Sequence, residues 1–175
     1  MMIAITGTPG TGKTHLAEEL RSRGYEVLDI NEHVRNNGLL GEKDESRDTF
    51  SVDVDALDLS LEGYRAKDLI FIEGHYSHCT ECGMAIVLRC CPDILAERLK
   101  ERGYSQSKIT ENVQAEILDV ILCEASEADV PVFELDTSAD SVSGLADKAE
   151  DIIRGNTDKY RPGNVDWTEE LERWF

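Results

Sequence analysis

Met2-Ile3-Ala4-Ile5-Thr6-Gly7-Thr8-Pro9-Gly10-Thr11-Gly12-Lys13-Thr14 is the stretch that decides the fold. Its first five residues form an apolar run of strand length. From Gly7 onward it fits G-x-x-x-x-G-K-[ST], with Gly7, Gly12, Lys13 and Thr14 at the fixed positions. The spacing has a physical purpose. Glycines let the backbone wrap closely round a phosphate with its N–H groups turned inward, and the helix that follows adds its N-terminal dipole. Lys13 then places a compact positive charge on the β- and γ-phosphates of a nucleoside triphosphate, and the Thr14 hydroxyl ligates Mg²⁺; the loop alone does not distinguish a kinase from an ATPase or a GTPase. Pro9, Gly10 and Thr11 complete the wrap, and His15 follows on the first helical turn.

Outward from this loop, short apolar strands alternate with helices. Strands are expected at 2–6, 27–29, 69–73, 84–88 and 132–135. Helices are expected at 13–23, 31–37, 53–64, 92–102, from 108 through Ile121, and at 141–154. Pro92 suits a first helical turn, where a missing N–H costs nothing. Buried strands alternating with helices imply an α/β fold with a parallel sheet covered on both faces. Residues 1–154 then form one phosphate-loop domain. Gly155 to Asn164 reads as a boundary. Beyond it Val165, Trp167, Leu171, Trp174 and Phe175 form the apolar side of a short helix that docks on the body.

The chain has 175 residues, 18 basic and 36 acidic, for a net charge of −18. One domain with a proper core is accommodated. So acidic a surface argues against nonspecific binding to naked nucleic acid, whose phosphate contacts need a basic stripe; no sequence-specific binding is expected either, and the charge suits a basic partner or simply a well-solvated surface. No run approaches the ~20 apolar residues of a membrane span. No export signal is visible, which points to a cytoplasmic protein with its five cysteines reduced.

Arg98 and Arg102 lie four apart, on one helical face just before Gly103. They could reach together over a triphosphate, or pair with Glu97 and Glu101. Arg35 follows the second strand, where a monophosphate site would be built, and could equally be a surface ion pair. Arg89 ends the fourth strand on the ligand-binding edge of such sheets, or makes an ion pair there. Glu73 ends the third strand beside the loop, where a carboxylate can hold Mg²⁺ through water. His75 could orient a water or take its proton. His75, His78, Cys79 and Cys82 make half of a zinc signature; without a second C-x-x-C, inert thiols are the simpler reading. Cys123 sits at helical spacing from Val120 and is expected in the core.

These residues resemble the adenylate kinase isoenzyme 6 family, also called coilin-interacting nuclear ATPase, which has archaeal members. The resemblance covers roughly residues 2–154. It rests on Gly7 to Thr14, on Glu73-x-His75, on Glu97-Arg98-Leu99-x-x-Arg102-Gly103-Tyr104 and on Thr110 to Ile117, reaching Glu124-Ala125. It implies a five-stranded parallel sheet in the order 2-3-1-4-5, a monophosphate-binding insertion around 29–52 and a short lid around 101–111. It further implies a broad nucleoside monophosphate kinase that favours AMP, an ATPase activity, and transient binding of a small-subunit ribosomal protein during late ribosome maturation and rRNA processing. A monomer suffices for this. Three positions depart from the pattern: Glu73 stands where the family usually has Asp, His15 where Ser or Thr is frequent, and Ser77 where ordinary adenylate kinases carry an AMP-holding arginine.

Two functions compete. In the kinase, Lys13, Arg98 and Arg102 neutralise the transferred phosphoryl group, Arg35 holds the acceptor, and Thr14 and Glu73 hold Mg²⁺. In the ATP-hydrolysing assembly switch, His75 and Glu73 position water.

Overall fold

The structure, a computed structural model, describes residues 1–44 and 49–175. In chain order the elements are β1 (Met2–Gly7), α1 (Lys13–Ser22), β2 (Val27–Asp29), α2 (Ile30–Asn36), β3 (Leu40–Asp44), β4 (Thr49–Val52), α3 (Val54–Ser60) and α4 (Glu62–Arg65). They continue with β5 (Ile70–Glu73), β6 (Met84–Arg89), α5 (Pro92–Glu101), α6 (Gln106–Ile117), α7 (Val120–Ser126), β7 (Val132–Asp136), α8 (Val142–Ile153) and α9 (Leu171–Trp174).

Five strands pair in parallel in the order β2-β5-β1-β6-β7. Counted within this sheet alone, that is the expected 2-3-1-4-5. The period of two along β1 sends Met2 and Ala4 to one face and Ile3 and Ile5 to the other. The first face packs on Ile30, Val34, Leu57, Leu61, Ile121 and Leu122. The second packs on Leu16, Leu20, Leu145, Ala149 and Ile152. All six residues of β1 are buried, as a strand covered on both faces demands. Side-chain caps start several helices: Asp29 accepts from Glu32 N, Asp53 from Ala56 N, Ser105 from Lys108 N and Ser141 from Gly144 N.

A third apolar cluster joins α5 to α6 through Leu95, Leu99, Ile109, Val113 and Ile117. Trp167, Leu171 and Trp174 pack against it, so the C-terminal segment covers this helix pair.

Three expectations need correction. The helix expected through Ile121 is broken: Asp119 adopts φ 56°, and α7 starts afresh at Val120. Residues 40–52 contain an antiparallel pair, β3 with β4, where only helices and a loop were expected. Cys123 is exposed rather than in the core. Glu45 to Asp48 of the expected insertion lie outside the described residues.

Candidate functional site: the phosphate loop and its two clefts

β1 delivers Gly7 to the C-terminal edge of the sheet. Its φ is 141°, and a Cβ there would lie 2.5 Å from the Leu88 carbonyl oxygen, so only glycine lets the loop leave beside β6. Gly12 caps α1 at φ 102°. Between them the Thr8 carbonyl accepts from the Thr11 amide at 3.2 Å and its hydroxyl at 2.8 Å, closing the turn. Lys13 Nζ donates to the Gly7 carbonyl at 2.7 Å and the Thr8 carbonyl at 3.1 Å. Its pKa is lowered to about 8, chiefly by burial and further by the Arg102 charge, while Glu73 acts the other way. A phosphate anion placed here would offset that burial cost with its own negative charge. Thr14 and His15 are exposed on the first turn of α1.

Glu73 closes β5 next to β1 and is 3% exposed. Burial, and after it the Asp29 charge, raise its pKa, while Lys13 opposes them. Its carboxylate makes no hydrogen bond or ion pair among the described residues. A buried anionic oxygen donor beside the loop lysine is a fitting ligand for a hard cation such as Mg²⁺.

His75 follows Gly74. Its pKa is lowered to about 4 by burial first, then by the charges of Lys13 and His78. The ring is therefore neutral at neutral pH. Its Nδ1 is buried and has no hydrogen-bond partner among the described residues. Ser77 is fully buried and its hydroxyl bonds the Ile5 carbonyl at 2.9 Å and the Gly74 carbonyl at 3.0 Å. The position that could carry an AMP-holding arginine thus holds a serine that pins the turn after β5.

The half zinc signature does not assemble. His78 lies between the Thr6 hydroxyl (Nδ1, 2.8 Å) and Glu124 (Nε2, 3.3 Å). Cys79 is exposed, while Cys82 is buried in the core. Burial raises the pKa of both thiols. Among the described residues no three His, Cys, Asp or Glu side chains gather as a metal site.

Two clefts flank the loop. The smaller, of about 300 Å³, is lined by the loop from Gly10 to Gly12, by Arg98, Glu101 and Arg102 of the α5 end, and by Thr137 and Asp140, among others. Here the two arginines part company. Arg98 is half-buried and donates to the Thr137 hydroxyl at 3.2 Å and carbonyl at 3.0 Å, with the Gly10 carbonyl at 3.5 Å. Arg102 is exposed, and its side chain makes no hydrogen bond or ion pair among the described residues. Arg98 therefore braces the loop, and Arg102 is the guanidinium that can move onto a ligand.

The larger cleft, of about 660 Å³, lies on the Thr8-Pro9 side. His75, Tyr76, His78, Tyr104, Lys108, Asn112 and Glu124 are among its lining. Arg35 is exposed on α2 and lines neither cleft. Arg89 does not face a ligand either. It is 1% exposed, with Nε 2.8 Å from Glu116, Nη1 3.1 Å from Glu134 and Nη2 on Asp119.

Sequence reasoning missed Thr137, Tyr76, Lys108 and Asn112. Thr137 also bonds the Thr11 carbonyl at 2.8 Å, but a threonine just past a strand carries no signal of its own. Tyr76 beside His75, and Lys108 with Asn112 four residues on, could have been noted as polar groups of the loop after β5 and the lid helix.

Fold and loop together define a phosphate-loop α/β protein. Solved structures agree: shikimate kinase from Bacteroides thetaiotaomicron superposes with a TM-score of 0.61 at 16% identity, covering 88% of this chain and 98% of that one. Deoxyadenosine kinase from M. mycoides gives 0.55 at 16% identity, covering 89% and 100%. Residues 3–119 match the family model described as AAA domain. The chain is 43% identical over 175 residues to a protein of Archaeoglobus fulgidus named "Putative adenylate kinase", covering 98% of this chain and 94% of that one. It is 44% identical over 171 residues to the protein of that name from Methanocaldococcus jannaschii, covering 97% and 94%. The chain belongs to this archaeal adenylate kinase family. Among the described residues no helix is long and apolar enough to cross a membrane.

Proposed function

We propose that the protein is a nucleoside monophosphate kinase of the adenylate kinase type, converting ATP and AMP to two ADP. The observation that carries this reading is the placing of one lysine-bearing phosphate loop between two clefts, with Arg98 and Arg102 in one of them. ATP would lie with its base in the smaller cleft and its phosphates along Gly7 to Thr14. The monophosphate would occupy the larger cleft on the Thr8-Pro9 side. An acceptor phosphate oxygen then attacks the γ-phosphorus, the bond to the β,γ-bridging oxygen breaks, and ADP leaves from each side. Lys13 and Arg102 meet the charge on the transferred group, and Arg98 keeps Gly10 and Thr137 in place. Thr14 and Glu73 would hold Mg²⁺, which when bound spreads the charge of the phosphate oxygens. Relatives named as adenylate kinases support the same reading.

A second reading has its own observation. The larger cleft carries no arginine among its described lining residues, and Ser77 is committed to the backbone. A dianionic acceptor is ordinarily held by guanidinium forks. The chain would then act mainly as an ATPase of the isoenzyme 6 kind, a switch in small-subunit maturation and rRNA processing, with His75 and Glu73 positioning water. Arg35, on α2, would reach an acceptor only by movement of that helix. The net charge of −18 suits a basic ribosomal protein as transient partner. One coupled assay separates the readings: ADP formed only when AMP is added supports the kinase, and phosphate released at the same rate without AMP supports the ATPase.

A further inference from the structure

The loop is held from a direction that the phosphate-loop pattern does not foresee. Thr8 is 2% exposed, and its hydroxyl donates to Glu116 Oε2 at 2.6 Å. Glu116 is on α6, 108 residues away, and is 3% exposed. Its other oxygen accepts from Arg89 Nε at 2.8 Å and from the Cys90 amide at 3.1 Å. Arg89 in turn is fixed by Glu134 on β7 and by Asp119, with a further bond from Nη2 to the Glu116 carbonyl at 3.1 Å. Glu134 reaches onward to the C-terminal segment, accepting from the Val165 amide at 2.7 Å.

We propose that Glu116 is a positioning residue for phosphoryl transfer: its carboxylate fixes the phosphate loop through the Thr8 hydroxyl, and the Arg89 cage fixes the carboxylate. The chemistry supports a defined position rather than general stickiness. A carboxylate taking three donors in a buried site has little freedom, since charge-assisted bonds are shorter and more directional than neutral ones. Thr8 is also the residue whose carbonyl receives Lys13 Nζ and both Thr11 donors. Holding its side chain therefore sets the carbonyl that parks the lysine. A displacement of Thr8 by about 1 Å would carry the lysine and the adjoining amides off the γ-phosphate, an error that costs phosphoryl transfer heavily. The left-handed turn at Asp119 belongs to the same device, because it brings the Asp119 carboxylate onto Arg89 at the joint of α6 and α7. The inference rests on the phosphate loop being the seat of phosphoryl transfer, and it holds for either acceptor, AMP or water.

The test uses the full chain with Thr8→Val, Thr8→Ser, Glu116→Gln and the double Thr8→Val/Glu116→Gln. Valine is nearly isosteric and lacks only the donor; serine keeps it. Assays run well below the lowest melting midpoint, so that loss of fold is not read as loss of rate. In the wild type, ADP formation with AMP and phosphate release without it are both recorded. Calorimetry measures binding of a non-hydrolysable ATP analogue. Thr8→Val should lower kcat about tenfold or more and weaken the analogue roughly threefold, while Thr8→Ser stays within about threefold of wild type in kcat. The double variant should be no worse than the poorer single one, because both substitutions cut the same connection. Equal behaviour of the valine and serine variants, or losses that multiply in the double variant, would overturn the proposal. If the wild type performs neither reaction, the kinase and ATPase readings fail. The analogue then decides alone: a weaker Thr8→Val than Thr8→Ser sustains the positioning role, and equal affinities refute it.

Discussion

The two clefts beside the phosphate loop differ in size and in the kind of cation that lines them. The smaller holds Arg98 and Arg102 next to the loop's own N–H groups, with the carboxylates of Glu101 and Asp140 also in its lining. The larger has about twice the volume, two neutral histidines, one lysine and the carboxylates of Glu111 and Glu124. Burial keeps His75 and His78 below their ordinary pKa, so neither adds positive charge at neutral pH. Among the described lining residues, both guanidiniums thus stand on the side where a triphosphate would lie, and Lys108 stands on the acceptor side. On the proposed reading one loop could serve both a kinase and a hydrolase, with the acceptor as the weakly specified partner.

The severest way to break this comparison is Lys13→Ala. Lys13 is the only point charge inside the loop, and its loss should lower both reactions about 10³-fold. Retention of more than about a tenth of either rate would place the chemistry elsewhere. Next in size is Arg102→Ala. Its side chain has no partner among the described residues; if, as proposed, it meets the phosphates in the closed, reacting state, kcat should fall about 10²-fold with little change in ATP affinity. Arg98→Ala supplies the contrast. It removes bonds to Thr137 and Gly10, and its signature should be a lowered melting temperature alongside a weaker analogue affinity.

His75→Gln sharpens the acceptor side. A ring with a pKa of about 4 is a weak base, so its service to water is orientation rather than proton removal. Hydrolysis should fall about tenfold more than AMP phosphorylation, and the wild-type hydrolysis rate should show no His75 step between pH 6 and 8. Equal losses in both reactions would make the ring a packing group only.

The smallest effect is on stability. In the folded state His75 stays neutral down to about pH 4, whereas in the unfolded chain it takes up a proton near its ordinary 6.5. Between those values the unfolded state binds more protons, so stability falls as pH drops through this window. His33 and His78 shift in the same direction. His75→Gln removes one such group, and should lose less stability than wild type between pH 7 and 4, by at most about 3 kcal/mol. Denaturant titrations at the two pH values measure this.

Much of the frame was legible because it rests on local pattern. The apolar runs at 2–6, 69–73 and 84–88 are strands of buried length, and the loop motif announces its strand before and helix after. What escaped depends on partners far away in sequence. Ile117, Val120 and Ile121 keep helical spacing across Asp119, so periodicity could not see a left-handed residue whose cost of about 1–2 kcal/mol is offset by Arg89. Arg98 and Arg102 read alike by spacing, and what separates them is Arg98's bonding to partners distant in sequence, Thr137 39 residues on and Gly10 88 residues back. In β4 Phe50 and Val52 alternate with Thr49 and Ser51, but a run of four beside a β3 without alternation (Leu40–Asp44) is too short to announce a strand pair. Arg35 looked suited to a phosphate because of its place after β2, yet α2 turns it outward.

The central claim, that the larger cleft accepts a monophosphate, is tested most directly by ADP production from ATP at rising AMP, with phosphate release followed in the same tube. The account predicts saturable ADP formation that depends on AMP and yields two ADP per ATP consumed, with phosphate release a minor path. ADP and phosphate appearing in equal amounts, at a rate indifferent to AMP, would contradict it and leave the chain an ATPase.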